Sequence, residues 1–522
     1  MKAKFNEEML SAYTFKGEAL RLGGAMIEGE TQTGTWINIP LETLNRHGLI
    51  AGATGTGKTK TLQILAEQMA NHGIPTLLMD IKGDLSGIAV ASDGHPKIDE
   101  RHRDIGFAFE AAGSTVELLS LSDEPGVKLR ATVTEFGPVL FSKILNLTDV
   151  QSTVVAVVFK YCDDNKLPLI DLKDFKSTLN FLVNEGKEEI QKEYGRISTA
   201  SVGAILRKLI ALEAQGSERF FGEPSFEVDD LCRIDENGKG VVSILRLTDL
   251  QDRPQLFSTF MMSLLAEVYA TFPERGDADR PELCIFIDEA HLIFDEASDE
   301  LLNQIETIIK LIRSKGVGIF FCTQNPADVP DDVLGQLGLK IQHALRAFTA
   351  KDRKAIKLAA QNFPETDYYE VEELLTSLGI GEALVTVLNE KGIPTPLAHT
   401  MLRAPQSRMD VLTDAEIKEI IKASPMIKKY NKEVDRDSAY ELLTERIKEA
   451  EQEEHQAKMK AEREKARKVR KTSTSSRSRK RKAEPSFIEE ISKNTMVRQV
   501  GRTVARELTR GLLGVLGIKK RS

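Results

Sequence analysis

Residues 52–61 read GATGTGKTKT, with glycines and threonines crowded around Lys58 directly after the apolar run GLIA at 48–51. Gly52, four residues, then Gly57, Lys58 and Thr59 fit the spacing G-x-x-x-x-G-K-[ST], the P-loop. Glycines allow a backbone whose successive N–H groups turn inward as a nest for phosphate oxygens. The next residues, TLQILAEQMANHG, carry Leu62, Leu65, Ala66 and Met69 at helical spacing, with Gly73 as the stop. A helix N-terminus therefore points at the same phosphates and adds partial positive charge. Gly52, Thr54, Gly55, Thr56, Gly57, Lys58, Thr59 and Lys60 form the candidate nucleotide-contact set. Lys58 is expected at the β- and γ-phosphates, and the Thr59 hydroxyl on Mg²⁺.

A P-loop alone does not separate kinases, GTPases and motor ATPases. In LCIFIDEAH, Asp288 ends an apolar strand, where its carboxylate can hold Mg²⁺ through water. Glu289 beside it can polarise the water that attacks the γ-phosphate. Adjacent acids favour hydrolysis over transfer to a second substrate. The sequence has no N-K-x-D guanine signature, so ATP is expected rather than GTP. In GIFFCTQNP, Gln324 follows another apolar strand and is expected at the same sheet edge, within reach of the γ-phosphate or the water. Arg313 ends the helical stretch before that strand. It reads equally as a cation complementing a helix C-terminus or as an arginine finger reaching a neighbouring subunit's ATP. In DIKGD, Asp80 and Asp84 bracket Lys82 near the nucleotide, and loop solubility explains them as well as function does. Two rival readings stand beside the ATPase. One is a P-loop kinase acting on a small molecule, which needs an arginine-bearing lid; the other is a nucleotide-dependent assembly switch.

Taken together, RHGLIAGATGTGKT, LLMDIKGDLSG, LCIFIDEAH and RSKGVGIFFCTQNPADVP resemble the HerA–FtsK superfamily of ring-forming DNA-pumping ATPases. The HerA-like branch, and the bacterial YjgR-like proteins within it, are the most similar, over about residues 35–408. The resemblance implies a RecA-like (ASCE) core, ATP and Mg²⁺ as cofactors, and a homo-oligomer, typically a hexamer. It also implies movement of double-stranded DNA through a central channel, often beside a nuclease. The family's glutamine at the end of the strand after Walker B corresponds to Gln324. Its trans-acting arginine, which opens that strand, corresponds to Arg313, with Arg346 and Arg353 as alternatives. HerA proteins usually carry a β-barrel before the P-loop, and the stretch ahead of it here is too short for one to be expected there.

The elements that must position these residues follow from apolar periodicity. IPTLLMD at 74–80, VELLSL at 116–121, and the runs at 240–247, 283–288, 316–323, 340–348 and 381–388 are strand candidates separated by helical stretches. Near-continuous apolar strands alternating with helices argue an α/β fold with a mainly parallel sheet covered on both faces. Ligands of such sheets bind at the carboxyl ends of the strands. Residues 1–40 read as a short β segment around Trp36, and 41–405 as the core. A helical insertion subdomain is expected at about 135–235. Residues 406–445 read as a helical extension, 446–483 as a charged helix with a basic low-complexity linker, and 484–522 as a basic amphipathic helix.

The chain has 522 residues, 41% of them hydrophobic and 29% charged, the balance of a globular protein with a sizeable core. No run approaches a membrane span and MKAKFNEEML carries no leader-like apolar stretch, so the expectation is a cytoplasmic protein. Four separated cysteines, Cys162, Cys232, Cys284 and Cys322, lack metal-type spacing and fit a reducing compartment. The net charge of −8 conceals an asymmetry: residues 460–522 carry +14 and the rest −22. The basic tail is a candidate polyanion contact. Its Val497–Leu512 stripe can dock on the protein's own body, the preferred reading, or lie on a membrane surface.

Overall fold

Mostly short, largely buried strands, most of the parallel ones leading into a helix, build one sheet. The structure, a computed structural model, describes residues 1–471 other than 251, 252, 277, 295–298, 433 and 435. The strands are β1 (Ala19–Ile27), β2 (Glu30–Pro40), β3 (Gly48–Ala51), β4 (Thr76–Asp80), β5 (Val116–Ser120) and β6 (Val127–Lys128). They continue with β7 (Val242–Arg246), β8 (Leu283–Ile287), β9 (Val317–Thr323), β10 (Leu339–Gln342), β11 (Glu382–Thr386) and β12 (Ala398–Leu402). Their order is β2-β1-β12-β11-β10-β3-β9-β8-β4-β7-β5-β6. From β10 to β6 every pairing is parallel, and the other four strands are joined antiparallel. Strands β3, β4, β8 and β9 are buried along their whole length, as both covered faces require. One strand, β9, separates the P-loop strand β3 from β8.

The first forty residues differ from the expected β segment. Lys2–Ala12 is a helix that buries Phe5 and Met9, and the hairpin β1–β2 follows. The large apolar residues of that helix are Phe5, Met9 and the exposed Leu10, too few for a periodicity argument. Its partners are remote in sequence: Phe5 packs edge-on against Tyr368 at 5.0 Å, and Tyr13 Oη donates to Pro396 O at 2.6 Å. The expected strand at 340–348 ends at Gln342, because the chain then follows the P-loop: His343 N donates to Ala51 O and Ala344 O accepts from Ala53 N. β12 was hidden by its polar residues. His399 is buried there, with Nε2 3.0 Å from Glu382 Oε2.

The chain divides into two compact units, 1–131 with 212–434, and 132–211 with residues from 435 on. The second unit is helical, with Val133–Ile144, Asp149–Asn165, Leu172–Val183, Lys187–Glu193 and most of Thr199–Ala214. Phe141 and Phe175 meet at 4.8 Å in its core. Thr148–Gln151 and Asp171–Asp174 capping boxes start two of its helices. The helix Ala439–Lys471 joins this unit through Tyr440 N and Ser438 Oγ, both donating to buried Asp174. The linker at 472–483 and the helix expected at 484–522 lie outside the described residues. Among the described residues no helix is long and apolar enough to cross a membrane.

Candidate active site

Strand β3 delivers the loop 52–57 at its carboxyl end, and the helix Lys58–Asn71 leaves from it. Gly52 has φ 152°, and a Cβ there would sit 2.5 Å from His343 Cβ, so this turn admits no side chain. Gly57, at φ 115°, turns the chain into the helix. Thr54 and Gly55 form the exposed tip. The loop is fastened from behind. Gly52 N donates to Thr323 O, Ala53 N to Ala344 O, and Gly381 N to Thr56 O. Thr56 Oγ1 donates to Ala53 O at 2.7 Å, so this hydroxyl braces the loop rather than facing a ligand. Lys58 is buried, and its Nζ donates to Gly52 O at 2.7 Å and Ala53 O at 3.3 Å. Burial lowers its pKa, and the charge of Lys82 adds to this. The Lys60 ammonium points elsewhere, onto Met409 O at 2.6 Å.

Asp288 follows β8 and is buried, and its Oδ2 has no hydrogen-bond partner. Burial raises its pKa, against the pull of Lys82. A buried carboxylate oxygen left unpaired is costly. A divalent cation held between Asp288 and the half-buried Thr59 would satisfy it, so the donor set fits Mg²⁺ with a nucleoside triphosphate. Glu289 sits at φ 48°, left-handed for a residue with a side chain. Its carboxylate pairs with Lys82, and its Oε2 lies 3.2 Å from His291 Nδ1. Burial pushes Glu289 up, but Lys82 outweighs it and the group lies below the usual range. Cys322 lies against Asp288, its thiol pushed well up by burial.

The turn after β4 is built by Asp80. One carboxylate oxygen accepts from Gly83 N at 2.7 Å and Asp84 N at 3.2 Å, and the other from Leu85 N at 3.1 Å. Burial pushes Asp80 up to about 7 against those bonds. The turn aims Lys82 at Glu289. The sequence had left these residues undecided; the available signal was a lysine bracketed by acids at the carboxyl end of β4, the strand paired with β8.

Gln324 is exposed immediately beyond β9, on the P-loop edge. Arg313 precedes β9, at the opposite, amino edge. Its charge acts on buried His47, which bonds Ile309 O and accepts from Ile319 N. Seven strand residues at about 3.3 Å each put roughly 23 Å between the two edges. The structure therefore brings Asp288, Glu289, Lys58 and Gln324 to one edge and leaves Arg313 away from its own chain's site. Arg346 and Arg353 are exposed beyond the carboxyl end of β10.

The family described as helicase HerA-like C-terminal matches residues 26–521. The chain belongs to this family. Among HerA relatives, the DNA double-strand break repair helicase HerA of Sulfurisphaera tokodaii is 21% identical over 359 residues, 67% of this chain and 64% of its own. The protein of the same description from Saccharolobus solfataricus is 22% identical over 386 residues, 73% and 68% of the two chains. This HerA-like chain thus spans less than two thirds of the Sulfurisphaera protein. Among solved structures, the bacterial conjugative coupling protein TrwBdeltaN70, in its unbound monoclinic form, superposes with a TM-score of 0.50 at 14% identity. The match covers 78% of this chain and 94% of that one, a likeness of fold. The RecA-like order is plain in the HerA-like core, where β10-β3-β9-β8-β4 places one strand between P-loop and acidic pair.

Proposed function

We propose that this HerA-like chain is an ATP-hydrolysing motor that acts on double-stranded DNA as a homo-oligomeric ring, most simply a hexamer. One observation carries the reading: a buried Asp288–Glu289 pair stands at the carboxyl edge, with one strand between it and the P-loop strand. Lys58 and the loop amides bind and orient the triphosphate. Thr59 and Asp288 would hold Mg²⁺, which would supply neutralisation of the phosphate charge. Glu289 takes the proton of the attacking water, and Gln324 orients that water. The acidic pair supports hydrolysis over transfer to a second substrate. DNA as the track is supported by family membership and by the helicase descriptions of the HerA relatives.

The ring is supported by Arg313. Its place at the amino edge leaves it no route to its own chain's phosphates and suits it to a neighbour's. The deciding experiment is ATP turnover with and without duplex DNA, alongside a native mass of the assembly. Strong DNA stimulation by a multimer is the expected result. Slow turnover indifferent to DNA would replace this reading with a nucleotide-dependent assembly switch.

A further inference from the structure

Two lysines converge on this site, and each is held by an acceptor of the protein itself. Lys58 donates to carbonyls of its own loop, and Lys82 pairs with Glu289. The other oxygen of Glu289 lies 3.2 Å from His291 Nδ1 without forming a hydrogen bond, so Lys82 is the cation that holds this carboxylate. The left-handed backbone at Glu289 and the Asp80-built turn under Lys82 fix the two partners in direction. A carboxylate neutralised by an ammonium is a weak acceptor for a water proton. The pair as it stands therefore blocks the step assigned to Glu289. Lys82 is the more exposed member of the pair.

We propose that Lys82 is the γ-phosphate sensor of this site, holding Glu289 while the γ-phosphate position is empty and passing to the γ-phosphate when a triphosphate binds. The exchange replaces one anion by another at the same ammonium and frees Glu289 for the water. ADP lacks the group that wins the competition, so Lys82 stays on Glu289 and the base stays occupied. Lys58 makes this distinction less sharply, because the β-phosphate it also meets is present in both nucleotides. The inference rests on the nucleotide-hydrolysing reading above.

Calorimetric titration of the full chain with Mg²⁺–ADP and with Mg²⁺–AMP-PNP tests it in wild type, Lys82→Met, Lys82→Arg, Glu289→Gln and the Lys82→Met/Glu289→Gln double variant. Lys82→Met should weaken AMP-PNP about tenfold, the worth of one charge-assisted hydrogen bond, and change ADP by less than about twofold. Lys82→Arg should restore most of the difference. Glu289→Gln should tighten AMP-PNP relative to ADP, and that gain should vanish in the double variant. Equal weakening of both nucleotides by Lys82→Met would mark a structural role and overturn the proposal, as would no change in either. A gain that persists in the double variant would assign the competition to the Glu289 charge itself and not to Lys82. Wild-type protein that binds neither nucleotide would remove the parent reading and the sensor together, a result distinct from all of these.

Discussion

The imidazole Nε2 of His343 lies 2.9 Å from the Thr61 hydroxyl, tying the chain beyond β10 to the first turn of the P-loop helix. His343 N donates to Ala51 O as well, so one residue braces the loop on both sides. Burial, helped by the Lys58 charge, lowers its pKa to about 4 and keeps the ring neutral. His343→Ala should cost about 1–3 kcal/mol in unfolding free energy by leaving buried polar groups unpaired. Nucleotide affinity should fall with it, because the cradle loses its rear support. Chemical denaturation and nucleotide titration check both; unchanged affinity would show that the loop holds its shape unaided.

The cradle and the base have separable roles. Lys58→Ala should remove nucleotide binding along with turnover. Glu289→Gln should still bind triphosphate while hydrolysis drops by about 10²–10⁴, the usual worth of a general base. Paired affinity and turnover measurements decide. A Glu289→Gln protein that hydrolyses near the wild-type rate would take Glu289 out of the mechanism.

Three buried histidines, His47, His102 and His343, have pKa values near 4, each lowered first by burial. Between pH 6.5 and about 4 the unfolded chain protonates them and the folded chain does not, so acid destabilises the fold. Glu67 and Asp80, pushed up to about 7 by burial, act in the opposite sense, since the folded state holds their protons across the same window. The two sets partly cancel, so the loss of stability on acidification is shallow. Denaturation midpoints at pH 6.5 and pH 5 should show a modest decline. A rise would mean that the carboxyls outweigh the histidines.

Most of the site was legible because its chemistry is local in sequence. The P-loop spacing, an apolar strand running into Asp288 and Glu289, and a strand ending before Gln324 each occupy under a dozen residues. What stayed hidden depends on residues that meet only in the fold. Lys82 became a site member because β4 pairs with β8, and no spacing in the chain states that pairing. His343 was read as part of a strand, whereas the structure spends it on the P-loop. Thr56 and Lys60 matched the motif, yet their side chains turn to Ala53 and Met409. The Lys2–Ala12 helix escapes the periodicity because its anchor Phe5 gains meaning only against the tyrosines at 368 and 369.

The basic tail is expected to act on DNA. Each phosphate neutralised releases counterions, giving a log–log salt slope of about −0.9 per contact. Deleting 460–522 should weaken duplex binding and flatten that slope by several units. Affinity and slope both unchanged would end the tail's role as a DNA arm and turn attention to its docking on protein or membrane, which sedimentation with anionic liposomes would separate.

Arg313 tests the ring and the residue together. A finger that meets charge developing only in the transition state is worth roughly 10³–10⁵ in turnover. Arg313→Ala should bind ATP as the wild type does and hardly hydrolyse it. Mixing that variant with Lys58→Ala, under conditions that exchange subunits, separates the two geometries. If the arginine acts in trans, some interfaces join an intact P-loop from the arginine variant to an intact arginine from the lysine variant, and hydrolysis partly returns. If it acted in cis, every subunit would lack one essential group and nothing would return. The strand geometry favours the first outcome, since β9 separates Arg313 from the edge that carries its own chain's P-loop. ATP hydrolysis must be the readout, because one inactive subunit can stall DNA movement in a coordinated ring. Verified mixed rings without recovered hydrolysis would remove Arg313 from the role and leave Arg346 and Arg353, both exposed beyond β10, as the residues to exchange next.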